Sequence, residues 1–331
     1  KRRYRTVEEV LQDFPQIQLE NSNLSSNIVI TNSFQNNQTI STKIQSANLS
    51  NAIQVKPFSF ETITIMIEEE ERFWRTHYHI VPQKKQCQVE QFILNLATDI
   101  TLDMVSISGG KFLMGSPRDE EESRDNERPQ HWVTVPSFYI GKYPITQAQW
   151  QTIMGNNPSH FKGSNKPVEN VSWDDCVKFC YKLSQQTGLN FSLPSEAKWE
   201  YACRARTTTP FYFGETITSE LANYNSNHIY NQEEKGIHRE QTTDVGSFPP
   251  NTFGLYDMHG NVWEWCADEW HESYIGSPTD GSVWSNGNSR RSPLRGGSWY
   301  DMPHLCRSAI RVINLRQNIY NYVSGFRVVC V

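Results

Sequence analysis

The sequence has no apolar run long enough to cross a bilayer, and no secretory signal opens it. We therefore expect neither a membrane protein nor a secreted one. It also has no excess of basic residues, since 31 Lys and Arg stand against 36 Asp and Glu and give a formal net charge of -5. Nucleic acid and anionic membranes are therefore not expected as partners.

Cysteine is scarce and odd in number. The seven cysteines follow no framework spacing: Cys87, Cys176, Cys180, Cys203, Cys266, Cys306 and Cys330. This pattern favours free, mostly buried thiols in a reducing compartment, here the cytoplasm. Cys176 and Cys180 have no partner pair at zinc-finger spacing, and His77 and His79 have no third ligand nearby. Neither pair is expected to bind a metal.

The chain divides into four parts by composition. Residues 1–15 predict an amphipathic leader helix, and the Asn-, Ser- and Gln-rich residues 16–56 predict a polar linker. Residues 57–100 predict a small β-containing appendage, and residues 101–331 the main domain. Because the chain begins at Lys1 rather than Met, we expect it to be a fragment of a longer protein.

Local patterns predict the main elements. Alternation over residues 58–67 predicts a strand, residues 89–97 read as a helix, and residues 102–117 give two strands around a Gly-Gly turn. In the main domain, one helix is predicted from Trp173 to a stop at Gly188, and a second over residues 194–205. No helix is predicted elsewhere in the main domain.

The last stretch, residues 294–331, combines two kinds of position. RGGSW and GFRVVCV look like framework, the first as a tight bend and the second as a buried strand. Between them the pattern follows neither a helical nor a strand period. The irregular positions are Tyr300, Asp301, His304, Leu305, Ile310, Ile313, Asn314, Leu315, Tyr320, Asn321 and Tyr322. They alternate with residues that look structural, such as Pro303, Cys306 and Arg307.

These irregular positions share a coding property. Each is either Asn or a residue that an asparagine codon yields when only its adenines change. Residues 295–327, hereafter the variable segment, therefore resemble the variable region of proteins diversified by retroelements. We take the irregular positions, together with Met302, as candidate ligand-binding residues. The alternative is an ordinary polar loop between two strands.

Six phrases, in order, carry a family resemblance: GGKFLMGSP, YPITQAQW, PVENVSWDDCVKFC, LPSEAKWEYACRA, FGLYDMHGNVWEW and RGGSW…CR…GFR. Together they resemble the formylglycine-generating-enzyme, or sulfatase-modifying factor, family. The resemblance implies an α+β, C-type lectin-like fold with short antiparallel strands, two main helices and much irregular loop. Separately, residues 1–14 resemble the last helix of a bacterial Ser/Thr kinase domain, which would then lie upstream in the same polypeptide.

The resemblance also bears on metals. The oxidases of this family hold Cu(I) with two cysteines, and here Cys306 occupies the second position while Asp301 stands at the first. A carboxylate is a poor ligand for Cu(I), so no copper is expected. Cys330 could supply a second sulfur only if the strand geometry allowed it. The family's calcium site would use Asp257, Gly260, Val262 and Glu264, a hard oxygen set. The alternative is that Asp257 caps a turn and Glu264 pairs with an arginine.

The framework residues of the same phrases are interpreted as structural. Trp263, Trp265, Trp299 and Phe326 look like core aromatics. We expect Arg307, Arg311 and Arg327 to be paired with acidic and carbonyl groups of the scaffold.

The sequence thus predicts a non-catalytic protein that presents a diversified face, with a protein as its ligand. Tyr and Asn at the irregular positions are typical of paratopes. Two alternatives remain open. One is a copper-dependent formylglycine-generating oxidase, and the other is a ligand-sensing module of an upstream kinase.

Overall fold

The computed structural model describes residues 54–72, 75–231, 235–317 and 322–331, and leaves out the side chains of residues 69–78. The predicted leader helix and almost all of the predicted linker lie outside the described residues. Within the described part, no helix is both long and apolar enough to cross a membrane.

The largest sheet has six strands and contains a long hairpin. Its order is β1-β2-β3-β6-β12-β7, with neighbouring strands antiparallel. The strands are β1 (Lys56–Arg72), β2 (Arg75–Ala97), β3 (Ile100–Ile107), β6 (Phe138–Gly141), β7 (Phe191–Ser192) and β12 (Val329–Cys330). The boundary predicted at residue 101 therefore falls inside a continuous sheet, where β2 pairs with β3.

The strand predicted over residues 58–67 is confirmed, but the helix predicted over residues 89–97 is wrong. Those residues belong to β2, which is hydrogen-bonded to β1 on one side and β3 on the other. Phe92, Leu94 and Leu96 lie on one face of the strand and Val89 and Ile93 on the other, so the run is apolar on both of its faces. An apolar run of this length has no period that separates a strand from a helix.

Two smaller sheets complete the strands. β4 (Gly110–Met114) pairs with β5 (His131–Val135). The two strands predicted over residues 102–117 are confirmed as β3 and β4, but Gly110 of the predicted turn belongs to β4. The second small sheet has the order β10-β9-β8-β11, comprising β8 (Trp263–Trp265), β9 (Arg291–Arg295), β10 (Val312–Leu315) and β11 (Ser324–Gly325). β11 runs parallel to β8. This sheet holds both ends of the variable segment.

The described residues contain three α-helices: α1 (Gln147–Met154), α2 (Trp173–Thr187) and α3 (Glu196–Arg204). The two predicted helices are confirmed, with Ser172 and Ser195 as N-caps and Gly188 ending α2 in the left-handed region. α1 was not predicted. It has a capping box in which Thr146 and Gln149 bond each other's backbone, a sequence signal that precedes the helix.

The core forms two clusters. One packs around Trp199, Tyr201 and Phe211 and includes Cys306, and the other packs around Trp150, Phe179 and Trp265. Trp263, Trp265, Trp299 and Phe326 are all buried, as predicted. All seven cysteines are free of disulfides, and six of them are buried. The fold is α+β with much irregular loop, as predicted, although β1 and β2 are much longer than expected.

Candidate ligand-binding face

Four arginines fasten the variable segment to the rest of the domain. Arg307 donates to both carboxylate oxygens of Glu127, at 2.9 and 2.8 Å, and also bonds Glu120. The other three arginines also bind carboxylates from distant parts of the sequence: Arg295 binds Glu200, Arg311 binds Glu196 and Arg327 binds Glu264. All four guanidinium groups are fully buried. A buried charge is tolerated only when it is paired, so each contact fixes the position of its strand or loop.

The middle of the variable segment is core, and one candidate residue belongs to it. Residues 306–311 are all fully buried, and the chain passes there from the first core cluster, at Cys306, to the second, at Ile310. The prediction that Ile310 contributes to an exposed patch is therefore wrong. Its side chain fills the second core cluster, which its apolar character also explains.

The remaining candidates differ in exposure. Four are exposed, namely Tyr300 at 61%, Met302 at 40%, Leu315 at 51% and Tyr322 at 48%. Five are half-buried: Asp301, His304, Leu305, Ile313 and Asn314. Tyr320 and Asn321 lie outside the described residues. The exposed residues come from three separate stretches: Tyr300 and Met302 precede the buried run of residues 306–311, Leu315 ends β10, and Tyr322 precedes β11.

The glycine pair of the predicted tight bend is confirmed. Gly296 and Gly297 both have positive φ, at 96° and 75°. A Cβ at Gly297 would collide with the carbonyl oxygen of Leu305 and the sulfur of Cys306. The bend thus lets two parts of the variable segment approach each other closely.

Asp301 is held as a structural residue. Its carboxylate accepts hydrogen bonds from the Trp263 indole N–H, at 2.7 Å, and from the Ser298 hydroxyl. Burial raises its pKa, while these two hydrogen bonds lower it. Cys306 is fully buried, and Cys330 lies in the other core cluster. Asp301 therefore supplies no thiolate beside Cys306, and Cys330 belongs to a different core cluster from Cys306.

Two of the residues predicted to bind calcium, Glu264 and Asp257, accept hydrogen bonds within the domain. Both oxygens of Glu264 accept hydrogen bonds from Arg327, at 2.7 Å each, and one also accepts the Trp199 indole N–H at 2.7 Å. Asp257 accepts the Gly246 N–H at 2.7 Å, and burial raises its pKa to about 6. Gly260 and Val262 lie between these two paired carboxylates. Glu264 is thus paired with an arginine, as in the alternative interpretation, whereas Asp257 bonds an amide 11 positions away in the chain.

Among the described residues, no group of three or more His, Cys, Asp or Glu side chains is arranged to hold a metal ion. Cys176 and Cys180 are buried on α2, and burial raises the pKa of both thiols. His79 is exposed, and the side chain of His77 lies outside the described set.

Trp299 belongs to a cluster of six rings, hereafter called the aromatic face. Its members are His160, Phe161, His238, Trp299, Tyr300 and Tyr322. The Trp299 ring is 5.2 Å from Phe161 and 5.5 Å from Tyr300, both nearly edge-on, and 6.2 Å from Tyr322 in a stacked arrangement. Trp299 itself is 6% exposed. It is the base on which the exposed tyrosines rest.

Half of this face was not predicted. His160 and Phe161 come from the loop between α1 and α2, and His238 from the loop after β7 and α3. The phrase NPSHFKG at residues 157–163 contained a usable signal, since Asn-Pro-Ser predicts a turn and two aromatic residues follow it. Long-range ring contacts of this kind have no local sequence period, so the pairing itself could not be predicted.

The fold and the buried framework of the variable segment define a formylglycine-generating-enzyme-like, C-type lectin-like domain. Residues 95–330 match the sulfatase-modifying factor enzyme 1-like domain, and the chain belongs to that family.

Several relatives share this domain. The chain is 32% identical over 220 residues to the chaperone protein LppX of Paenibacillus barcinonensis, covering 53% of this chain and 74% of LppX. It is 29% identical to the formylglycine-generating enzyme of Mus musculus, covering 50% of this chain and 58% of the enzyme. It is also 30% identical to the serine/threonine-protein kinase pkn1 of Chlamydia caviae, covering 68% of this chain but 37% of the kinase.

Two solved structures are similar in fold. PvdO from Pseudomonas aeruginosa superposes with a TM-score of 0.63 at 32% identity, covering 72% of this chain and 97% of PvdO. Variable protein 1 of Treponema denticola superposes with a TM-score of 0.61 at 27% identity, covering 72% of this chain and 98% of that protein. The predicted resemblance to a variable protein is thereby confirmed.

Proposed function

We propose that this chain is a non-catalytic ligand-binding protein whose variable segment is rewritten by a diversity-generating retroelement. The observation that carries the proposal is the division within that segment. Residues 306–311 are buried and anchored by arginine–carboxylate pairs, whereas Tyr300, Met302, Leu315 and Tyr322 are exposed. A scaffold anchored in this way tolerates changes at the exposed positions, because surface substitutions usually alter stability little.

The exposed side chains suit a protein ligand. Tyr and Met provide large contact areas, and exposed apolar groups placed together are typical of partner surfaces. The similarity to variable protein 1 of Treponema denticola supports the same interpretation. We further propose a cytoplasmic location, since seven free thiols suit a reducing compartment. Nucleic acid and membrane remain outside the proposal because the chain is net acidic.

The proposal is tested by selecting binders. A peptide-display library is panned against the immobilised chain, and each selected peptide is measured against a variant carrying Tyr300→Ser, Met302→Ser and Tyr322→Ser. The matched control carries Trp132→Ser and Ile275→Ser, two exposed apolar residues that are outside the variable segment. We expect most peptides to lose at least tenfold in affinity to the first variant and to keep their affinity for the control. Peptides that bind the first variant as tightly as the unchanged chain would contradict the proposal.

The oxidase alternative predicts a different result. Because Asp301 bonds Trp263 and Ser298 where a thiolate is needed, we expect no turnover of a cysteine-containing sulfatase peptide with Cu(I) and oxygen. Asp301→Cys is the matched variant, since it restores the cysteine pair. Multiple turnovers by the unchanged chain would favour the oxidase.

A sensor role is the second candidate, favoured by the similarity to a chlamydial protein kinase over 68% of this chain. In that case, ligand binding at the variable segment would regulate a kinase domain in the same polypeptide. Expression of the gene's full reading frame, followed by autophosphorylation assays with and without a selected peptide, tests this candidate. An unchanged rate would argue against it.

A further inference from the structure

The loop that carries His160 and Phe161 is held in place from below by two buried side chains. The Gln147 amide donates to the Phe161 carbonyl oxygen at 2.7 Å, and the Gln147 side-chain oxygen accepts from the Asn157 amide and the Gly163 N–H at 2.9 and 3.1 Å. Glu169 accepts the Phe161 N–H at 2.8 Å. Gln147 and Glu169 are both fully buried. The backbone of Phe161 is therefore bonded on both sides before any ligand arrives.

The same loop is joined to the variable segment through its rings. The His160 ring lies 5.5 Å from Tyr322 and 4.7 Å from Phe161, and Phe161 lies 5.2 Å from Trp299. His160 is exposed and Phe161 is half-buried. An aromatic surface thus continues from Tyr322 across the loop without a break. His160 and Phe161 lie outside the variable segment, so adenine-directed mutation would leave this part of the surface unchanged.

The charges bordering this surface are already engaged within the domain. Lys166 donates to Gln241 at 2.8 Å and lies 5.7 Å over the Phe161 ring, while Lys162 donates to the Asn157 carbonyl oxygen at 3.0 Å. The Asp301 carboxylate is taken by Trp263 and Ser298. The two ammonium groups would repel a cationic ligand group, whereas the rings of His160 and Phe161 offer a direct contact to an uncharged apolar one.

We infer that the ligand face is composite: the fixed loop of His160 and Phe161, with Trp299 beneath it, forms a constant anchor for an uncharged aromatic or aliphatic side chain of the protein ligand. The inference rests on the proposed function and extends it to residues outside the variable segment. A loop whose position is already set loses little conformational freedom on binding, which favours its use as an anchor. The variable positions then select among ligands that share such a side chain.

A small uncharged probe tests the anchor directly. N-acetyl-tryptophanamide is titrated into the isotopically labelled full chain, and backbone amide shifts are followed by NMR. N-acetyl-lysinamide and N-acetyl-glutamate amide are the charged controls. We expect saturable shifts at residues 160, 161 and 322, with a dissociation constant on the order of millimolar, as befits a ligand of this size. We expect the charged probes to give no saturation at these residues.

Two single variants locate the contact. Phe161→Ala and His160→Ala should each lower the affinity of the probe by roughly twofold to tenfold, since each removes one ring that pairs with the probe. His160 is exposed, so His160→Ala tests the anchor even if Phe161→Ala perturbs the loop. Tyr181→Ala is the matched control, because Tyr181 is an exposed ring on α2 outside the aromatic face. It should leave the affinity unchanged.

The contrary outcomes are distinct. Shifts confined to residues 300–305 and 312–315, tighter binding of a charged probe, or no saturable shift at all would each overturn the anchor. Selected display peptides whose affinity depends on Tyr300 and Tyr322, but is unchanged by His160→Ala and Phe161→Ala, would also overturn the anchor. That result would leave the proposed function intact. Loss of the peptides' dependence on the variable positions would instead count against the proposed function.

Discussion

At the scale of single residues, buried ion pairs determine how the variable segment is held. Arg327 makes a two-pronged contact with Glu264, and neither group is exposed to solvent. The residue types were identified correctly from the sequence, since Arg307, Arg311 and Arg327 are all paired as predicted. Their partners could not be assigned, because each carboxylate lies 63 or more positions away in the chain.

The pairing of Glu264 leads to a prediction about metal. Because Arg327 and Trp199 occupy its oxygens, we expect a chelator to leave the melting temperature unchanged. Glu264→Gln should instead destabilise the protein by about 3–5 kcal/mol, with or without added calcium, since it leaves a buried guanidinium unpaired. Glu121→Gln, at an exposed carboxylate, is the control. A melting temperature that falls on chelation and recovers with calcium would contradict this reading of the site.

Glu169 leads to a prediction about pH. Burial raises the pKa of its carboxyl to about 7 from an ordinary value of 4.5, although the amides of Phe161 and His160 lower it. The folded protein therefore binds this proton more tightly than the unfolded chain does. The resulting stability is fully present below pH 4.5 and is lost as the pH rises through 7.

Glu169→Gln removes that dependence, because Gln cannot ionise. Relative to the unchanged chain, this variant should gain stability as the pH rises from 4.5 to 7, by at most on the order of 3 kcal/mol, and then stay level. Urea unfolding of both proteins at pH 5 and pH 8 measures the gain. A difference that is the same at both pH values would show that the carboxyl does not titrate in this window.

At the scale of elements, local signals were sufficient for α2, α3 and the strand β1, and insufficient for α1 and β2. Both helices have polar N-caps, and Gly188 ends α2 in the left-handed region. α1 was missed although Thr146 and Gln149 form a capping box, because the proline before it suggested a broken strand. Residues 89–97 were misread because β2 has apolar residues on both faces. Tertiary pairing, and not local pattern, decides such a segment.

The variable segment shows the same limit. Its framework aromatics and glycine bend were predicted, but the burial of Ile310 was not. A short segment that crosses between two core clusters has no period from which burial can be read. The loop of His160 and Phe161 was missed because its contacts with Trp299 and Tyr322 join distant parts of the chain.

The tyrosines and the framework aromatics should therefore respond differently to truncation. Tyr300→Ala combined with Tyr322→Ala should lower the free energy of unfolding by about 1 kcal/mol, since both rings are about half exposed or more. Trp299→Ala and Phe326→Ala should each cost roughly 3–5 kcal/mol, because both side chains are buried. Thermal and urea unfolding of the three variants compares them. A tyrosine pair as damaging as either framework variant would mean that the tyrosines are core.

At the scale of the whole molecule, an irregular lectin-like domain carries one anchored segment with exposed residues at intervals. The six family phrases were enough to predict this architecture. They occur in family order over residues 109–327, within the matched domain of residues 95–330. The hairpin of β1 and β2 was not foreseen as part of the main sheet, because residues 89–97, which pair with β3, were predicted to be a helix. Function depends less on the fold than on which positions of the segment are free to change.

The most direct measurement is therefore a paired scan of every single substitution across residues 295–327. Folding is scored by protease resistance on display, and binding by a peptide selected as described above. We expect substitutions at Tyr300, Met302, Leu315 and Tyr322 to preserve folding and to change binding. Substitutions at Arg307, Ile310 and Arg311 should abolish folding. If the exposed positions tolerate no change, or change freely without affecting any binder, the variable segment is not a diversified binding face.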